Sequence, residues 1–131
     1  MNLLRRTLSI GAFVLLVTSL ALLIAPGWLT GILLGQSPTQ DVWLRLLGAT
    51  SLSLALIHVL IARKIEELWW WSWAIVAFDA ITAIVTILHA LVGLPEGSPA
   101  WPWWVTGSVS TLFAALYLAG LARAGQEKPF A

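Results

Sequence analysis

One side chain in this sequence is placed where chemistry would be hardest to explain away. Asp79 is the only charged residue between Leu68 and Pro95. A carboxyl group in such surroundings can hold a proton, accept hydrogen bonds from a ligand, or tie helices together. Each role needs a partner, because a charge at the centre of a hydrocarbon layer costs at least about 2.5 kcal/mol. Helical spacing puts Ser72, Asp79, Ala83, Thr86 and Ala90 on one face, with Thr82 at its edge. Ile81, Ile84, Leu88 and Leu91 fall on the opposite face. Depth counted at about 1.5 Å per residue brings Ser53 to the level of Asp79 and puts Thr18, Thr50, Ser110 and Thr111 within a turn or two. The sequence therefore predicts a hydroxyl-lined core. Its ligand-binding or proton-carrying candidates are Asp79, Ser53, Thr82 and Thr86, with Ser53 as the expected hydrogen-bond partner of the acid. In the competing structural reading, Asp79 only ties helices together.

The two histidines, His58 and His89, are the other groups that could bind a metal or pigment. Their antiparallel helices separate them by roughly 20 Å along the membrane normal, too far to share one iron. A single histidine could still ligate a pigment magnesium, with His58 as the single-ligand candidate. Light-harvesting polypeptides place a small residue four positions before such a histidine; here Leu54 and Val85 stand there. There is no cysteine, which removes thiolate catalysis, cysteine metal sites and the chemistry of disulfide-forming membrane oxidoreductases. A lone acid with no adjacent base, nucleophile or metal set gives no catalytic constellation. No enzyme activity, cofactor or metal is expected. The basic residues form no patch that would bind nucleic acid.

The elements that must hold these groups are read from charge and hydropathy. Of the 131 residues, 60% are hydrophobic and 10% charged, far from the balance of soluble domains. Thr7 to Gln40, Leu46 to Ala62 and Gly97 to Ala122 carry no charge at all. A soluble helix keeps one polar face, and these segments have none. Runs of about 20 apolar residues match a hydrocarbon core roughly 30 Å thick. The fold class predicted is an all-α integral membrane protein, a single four-helix transmembrane domain over 1–131. Its spans are expected at about 7–25, 38–63, 68–92 and 99–123. The first is expected to be an uncleaved helix stopped by Pro26-Gly27. Ser37-Pro38-Thr39-Gln40 reads as a capping box for the second. Trp28 to Leu34 reads as an interfacial turn or half-helix rather than a fifth span.

Arg5, Arg6, Arg63, Lys64, Arg123 and Lys128 fall on one side of this layout and only Arg45 lies toward the other. That bias places both termini in the cytoplasm, in a bacterial-type inner membrane. It also argues against dual-topology small multidrug transporters and fluoride channels, whose loops would be balanced. Arg45 is expected to pair with Asp41, one helical turn earlier. The nine tryptophans fall at the two expected boundaries and none in mid-span, which is the pattern of lipid anchoring.

Small residues form seams on two helices. Ser51, Ala55, His58 and Ala62 line one on the second helix, which carries a further seam of Ala49 and Ser53. On the fourth, Gly107, Thr111 and Ala114 line one side, and Ser108, Ala115, Ala119 and Ala122 a neighbouring one. Lipid supplies no hydrophobic drive between helices, so close backbone approach must hold them together. Ser51, Ala55, Ala62, Gly107, Ala115 and Ala119 are the interface candidates. With loops of roughly 5 to 15 residues, no separately folding part lies outside the membrane. The leading expectation is a non-catalytic accessory or assembly subunit of a larger membrane complex, with lipid and other transmembrane chains as partners. The alternative is a binder or carrier of a small lipophilic or protonatable ligand around Asp79; a pigment-binding subunit is the third reading. In size and layout the chain is similar to the small DoxX-like four-helix proteins of bacteria. That likeness is architectural and carries no residue roles.

Overall fold

The computed structural model describes residues 1–34 and 41–127. The described residues are helical apart from short connections. In chain order the helices are α1 (Asn2–Ile24), α2 (Pro26–Leu34), α3 (Asp41–Arg63), α4 (Ile65–Leu68), α5 (Ser72–Leu88) and α6 (Trp101–Glu127). A single 3₁₀ turn, Trp69–Trp71, joins α4 to α5, and a π-helical turn, His89–Gly93, extends α5. Four stretches are long and apolar enough to cross a membrane: Asn2–Ile24, Val42–Arg63, Ile65–Gly93 and Trp101–Glu127.

Four spans thus stand where the hydropathy put them, with boundaries that differ. α1 starts five residues before Thr7, and α6 runs to Glu127 rather than Arg123. Backbone hydrogen bonding continues through the polar turns that flank an apolar run, so hydropathy alone marks the ends short. α2, nine residues long, is the half-helix expected after Pro26. The Ser37–Gln40 capping box, Lys128 and the side chain of Asp41, with its expected pairing to Arg45, lie outside the described residues.

The spans pack in the order α3–α1–α6–α5, so α1 touches both α3 and α6 while α5 lies against α6. Each of these three contacts is made possible by glycine. At Gly48 a β-carbon would come within 3.0 Å of Leu22 Cβ on α1. At Gly120 it would lie 3.0 Å from the Leu4 backbone. At Gly107 it would press on Ile87 and Thr86 of α5. Such approaches are the main source of helix association in lipid, where apolar surface alone provides none.

The main cluster of buried apolar residues is at one end. Leu4 and Leu8 of α1, Ile61 of α3, Ile65, Trp69, Ile75 and Leu121 fill the end that carries both termini. There the terminal amine of Met1 pairs with Glu127 Oε2 at 2.6 Å. Trp69 is buried in this plug, whereas Trp28, Trp43, Trp70, Trp71, Trp73, Trp101 and Trp104 are exposed. The expected outer face of α5 is also as drawn, with Ile81, Ile84, Leu88 and Leu91 all exposed.

Candidate functional site

Between this plug and the opposite end, the four long helices line a half-open cavity of about 430 Å³. Asp79 lines it, and is the central residue of the Ile65–Gly93 span. α5 turns this residue inward because Ala83 and Thr86 on the same face are packed against the bundle. The carboxyl group is half-buried and accepts no hydrogen bond and makes no ion pair among the described residues. In an apolar medium an unpartnered carboxyl is the costliest feature of the interior.

The expected partner, Ser53, is elsewhere. It is exposed, and its hydroxyl donates to the Ala49 carbonyl at 3.1 Å. α3 turns Gly48, Ser51, Ala55, His58 and Ala62 inward instead, and a residue two positions from Ser51 and Ala55 points away from that face. Thr86 also drops out of the site. Its hydroxyl donates to Thr82 O at 2.7 Å and its side chain packs beside Gly107. A hydroxyl in a helix can satisfy itself on the carbonyl one turn back. Thr18, Thr50, Ser51, Thr106 and Thr111 all do so. Of the hydroxyls that line the cavity, Thr82 and Ser110 make no hydrogen bond among the described residues. Thr82 keeps its place as a candidate.

Asp79 was expected to be a lone acid with no adjacent base. The structure places both His58, from α3, and Asp79, from α5, in the lining of the cavity. The His58 Nδ1–H donates to the Leu54 carbonyl at 2.8 Å. That bond fixes the tautomer and leaves Nε2 as an acceptor. His89 does not join them; it packs edge-on against Trp103, with ring centroids 4.3 Å apart, at another pocket.

Sequence reasoning missed two residues. Tyr117 has no exposed surface and stands between the plug and the cavity. Its ring lies 6.0 Å from that of His58 and stacks on Phe113 at 5.9 Å. Its hydroxyl donates to Thr7 O, 3.4 Å away on α1. Gly11 makes this possible, since any β-carbon there would collide with Tyr117 Oη and approach His58 Cδ2 within 3.2 Å. A signal was present: this is the sole tyrosine, and it lies ten residues from the end of α6, away from the boundaries where amphipathic rings gather.

The site thus offers a carboxyl group, an acceptor nitrogen on His58 and two free hydroxyls, walled by Phe78, Phe113, Val105 and Val109. Acceptors dominate, so the complementary ligand is one that donates hydrogen bonds. Of the interface candidates, Ser51, Ala55 and Ala62 are buried inside the bundle and Gly107 against α5, while Ala115 and Ala119 are exposed. The chain matches no protein-family model, no curated protein and no solved structure.

Proposed function

We propose that this protein binds, within the bilayer, a small molecule that brings a hydrogen-bond donor to Asp79, and that it does no covalent chemistry. The observation that carries this reading is the unpartnered carboxyl group facing the central cavity. A structural acid would be expected to have a protein donor; this one has none among the described residues. A pocket of a few hundred Å³, mostly apolar with a few convergent polar groups, is the usual form of a small-molecule site. His58, in the lining of the same cavity, would allow a proton to be exchanged with the bound molecule, as acid and imidazole pairs do in membrane carriers. Binding of a short alkyl amine to protein in lipid nanodiscs, followed by calorimetry, tests the reading. Saturable binding that weakens about tenfold or more in Asp79→Asn is expected, the size of a charge-assisted hydrogen bond. Equal binding by both proteins would refute it.

The proposal includes insertion in a bacterial-type plasma membrane with both termini cytoplasmic. The support is that Arg5, Arg6, Arg63, Lys64 and Arg123 lie at one end of the bundle and Arg45 toward the other. Single cysteines replacing Glu67, Gly97 and Gln126 can be treated with an impermeant thiol reagent on intact cells. Only position 97 should react; modification at 67 or 126 would reverse the orientation.

A second reading rests on the outer face of α6. Ser108, Ala115, Ala119 and Ala122 are exposed along about four turns, and this face could receive another transmembrane chain as an accessory subunit would. The seam of Ser51, Ala55, His58 and Ala62 on α3, by contrast, is buried inside the bundle, although Ala49 and Ser53 on the same helix are exposed. Co-purification of a partner at fixed stoichiometry, lost in Ala115→Leu and Ala119→Leu, is the outcome expected for a subunit. A monomer in mild detergent, unchanged by both substitutions, would leave this face to lipid.

A further inference from the structure

The fourth seam of the bundle, between α3 and α5, is unlike the other three. α3 and α5 scarcely touch along their lengths. The three packed seams each have a glycine where the backbones approach, at Gly48, Gly120 and Gly107. The α3–α5 seam has none, and bulky Leu54, Ile57, Leu60, Trp71 and Phe78 line the space between them. The space left between them is a half-enclosed groove of about 420 Å³. Every lining residue except His58 is apolar. His58 and Phe78 are also walls of the central cavity. One polar site and one apolar groove therefore adjoin at these two side chains.

We infer that the ligand is an amphiphile, with its donor head at Asp79 and a hydrocarbon tail in the α3–α5 groove, and that it arrives sideways from the bilayer through this seam. The inference rests on the function proposed above and adds the ligand class and the route. From the end of α4 into α5 the groove runs from Leu68 to Phe78, ten residues or about 15 Å at helical rise. That is half of a hydrocarbon core roughly 30 Å thick. A tail laid there would span one leaflet, from the midplane acid to the end of the bundle that carries the termini. The groove is shut from the interior at that end by the plug of Leu4, Leu8, Ile65 and Trp69, so an occupant stays between α3 and α5 and does not pass through the core. A tail moving from lipid into an apolar groove gains little by desolvation, since both media are apolar. Selection therefore comes from the head, and the groove decides where the tail lies.

Dodecylamine with a diazirine at the far end of its chain reports that location directly. The protein is held in phosphatidylcholine nanodiscs, photolysed with increasing probe, and the adducts are mapped by mass spectrometry. Saturable adducts on Leu60, Leu68 or Trp71, at the far end of the groove, are expected. They should fall about tenfold or more in Asp79→Asn. Ala74 is exposed on the groove, so Ala74→Trp fills the space without disturbing the core and should displace the adducts from these residues. Two results overturn the inference. Saturable, Asp79-dependent labelling that falls instead on Leu22, Leu47 or Val105, at the other end of the cavity, would reject the groove while the midplane site stands. Labelling that does not saturate and ignores Asp79→Asn would remove the site and the groove together.

Discussion

Gly11→Ala is expected to destabilise the bundle by about 1–3 kcal/mol, the usual cost of forcing one extra carbon into a filled interior. The β-carbon would be built against Tyr117 Oη, with His58 Cδ2 at 3.2 Å behind it. Tyr117 cannot retreat, because it has no exposed surface and is stacked on Phe113. Relief has to come from the hydroxyl itself. Tyr117→Phe removes the colliding oxygen and gives up only a long bond to Thr7 O, worth about 0.6 kcal/mol on the average for such contacts in lipid. The double variant Gly11→Ala, Tyr117→Phe should therefore be more stable than Gly11→Ala alone, a coupling of opposite sign to the usual sum of two losses. Unfolding in mixed detergent micelles gives all four values of the cycle. Strict additivity would mean that the α1–α6 approach is looser than described.

Asp79→Leu is expected to abolish amine binding while leaving the bundle at least as stable as before. The two effects separate because the carboxyl group does no bonding among the described residues. Removing it deletes a group that costs about 2.5–3.5 kcal/mol at the centre of a span on the insertion scale. Asp79→Asn keeps the shape and some polarity, and should fall between the two in stability. The sequence alone points the other way, toward loss of a helix-tying hydrogen bond and a less stable protein. Unfolding and calorimetry on the same three proteins decide it. A bundle weakened by 1–2 kcal/mol in Asp79→Leu would return the acid to a structural role, that being the measured range for polar contacts between helices in lipid.

The number of helices long and apolar enough to span a membrane, the short element after Pro26, the exposed side of α5 and the inward turn of Asp79 were all legible in the sequence. They depend on local quantities: length of apolar run, helix breakers, and the 3.6-residue period that separates Ile81, Ile84, Leu88 and Leu91 from Asp79 and Ala83. The seam of Ser51, Ala55, His58 and Ala62 was legible for the same reason, though not its neighbour, which is α1. What the tertiary structure decided is which faces meet. A depth count put Ser53 beside Asp79, yet depth fixes only one of the coordinates of a side chain, and rotation of α3 about its axis sends Ser53 outward. Of the hydroxyls expected around the acid, those of Thr18, Thr50, Ser53, Thr86 and Thr111 were drawn to their own helix carbonyls one turn back, a competition that spacing does not reveal. Tyr117 and Gly11 are 106 residues apart in the numbering, and their fit depends on a crossing of α1 and α6 that no local pattern encodes. The open α3–α5 seam is likewise a property of the packing order. Glycines on three seams draw those backbones together, and bulky side chains line the space at the fourth.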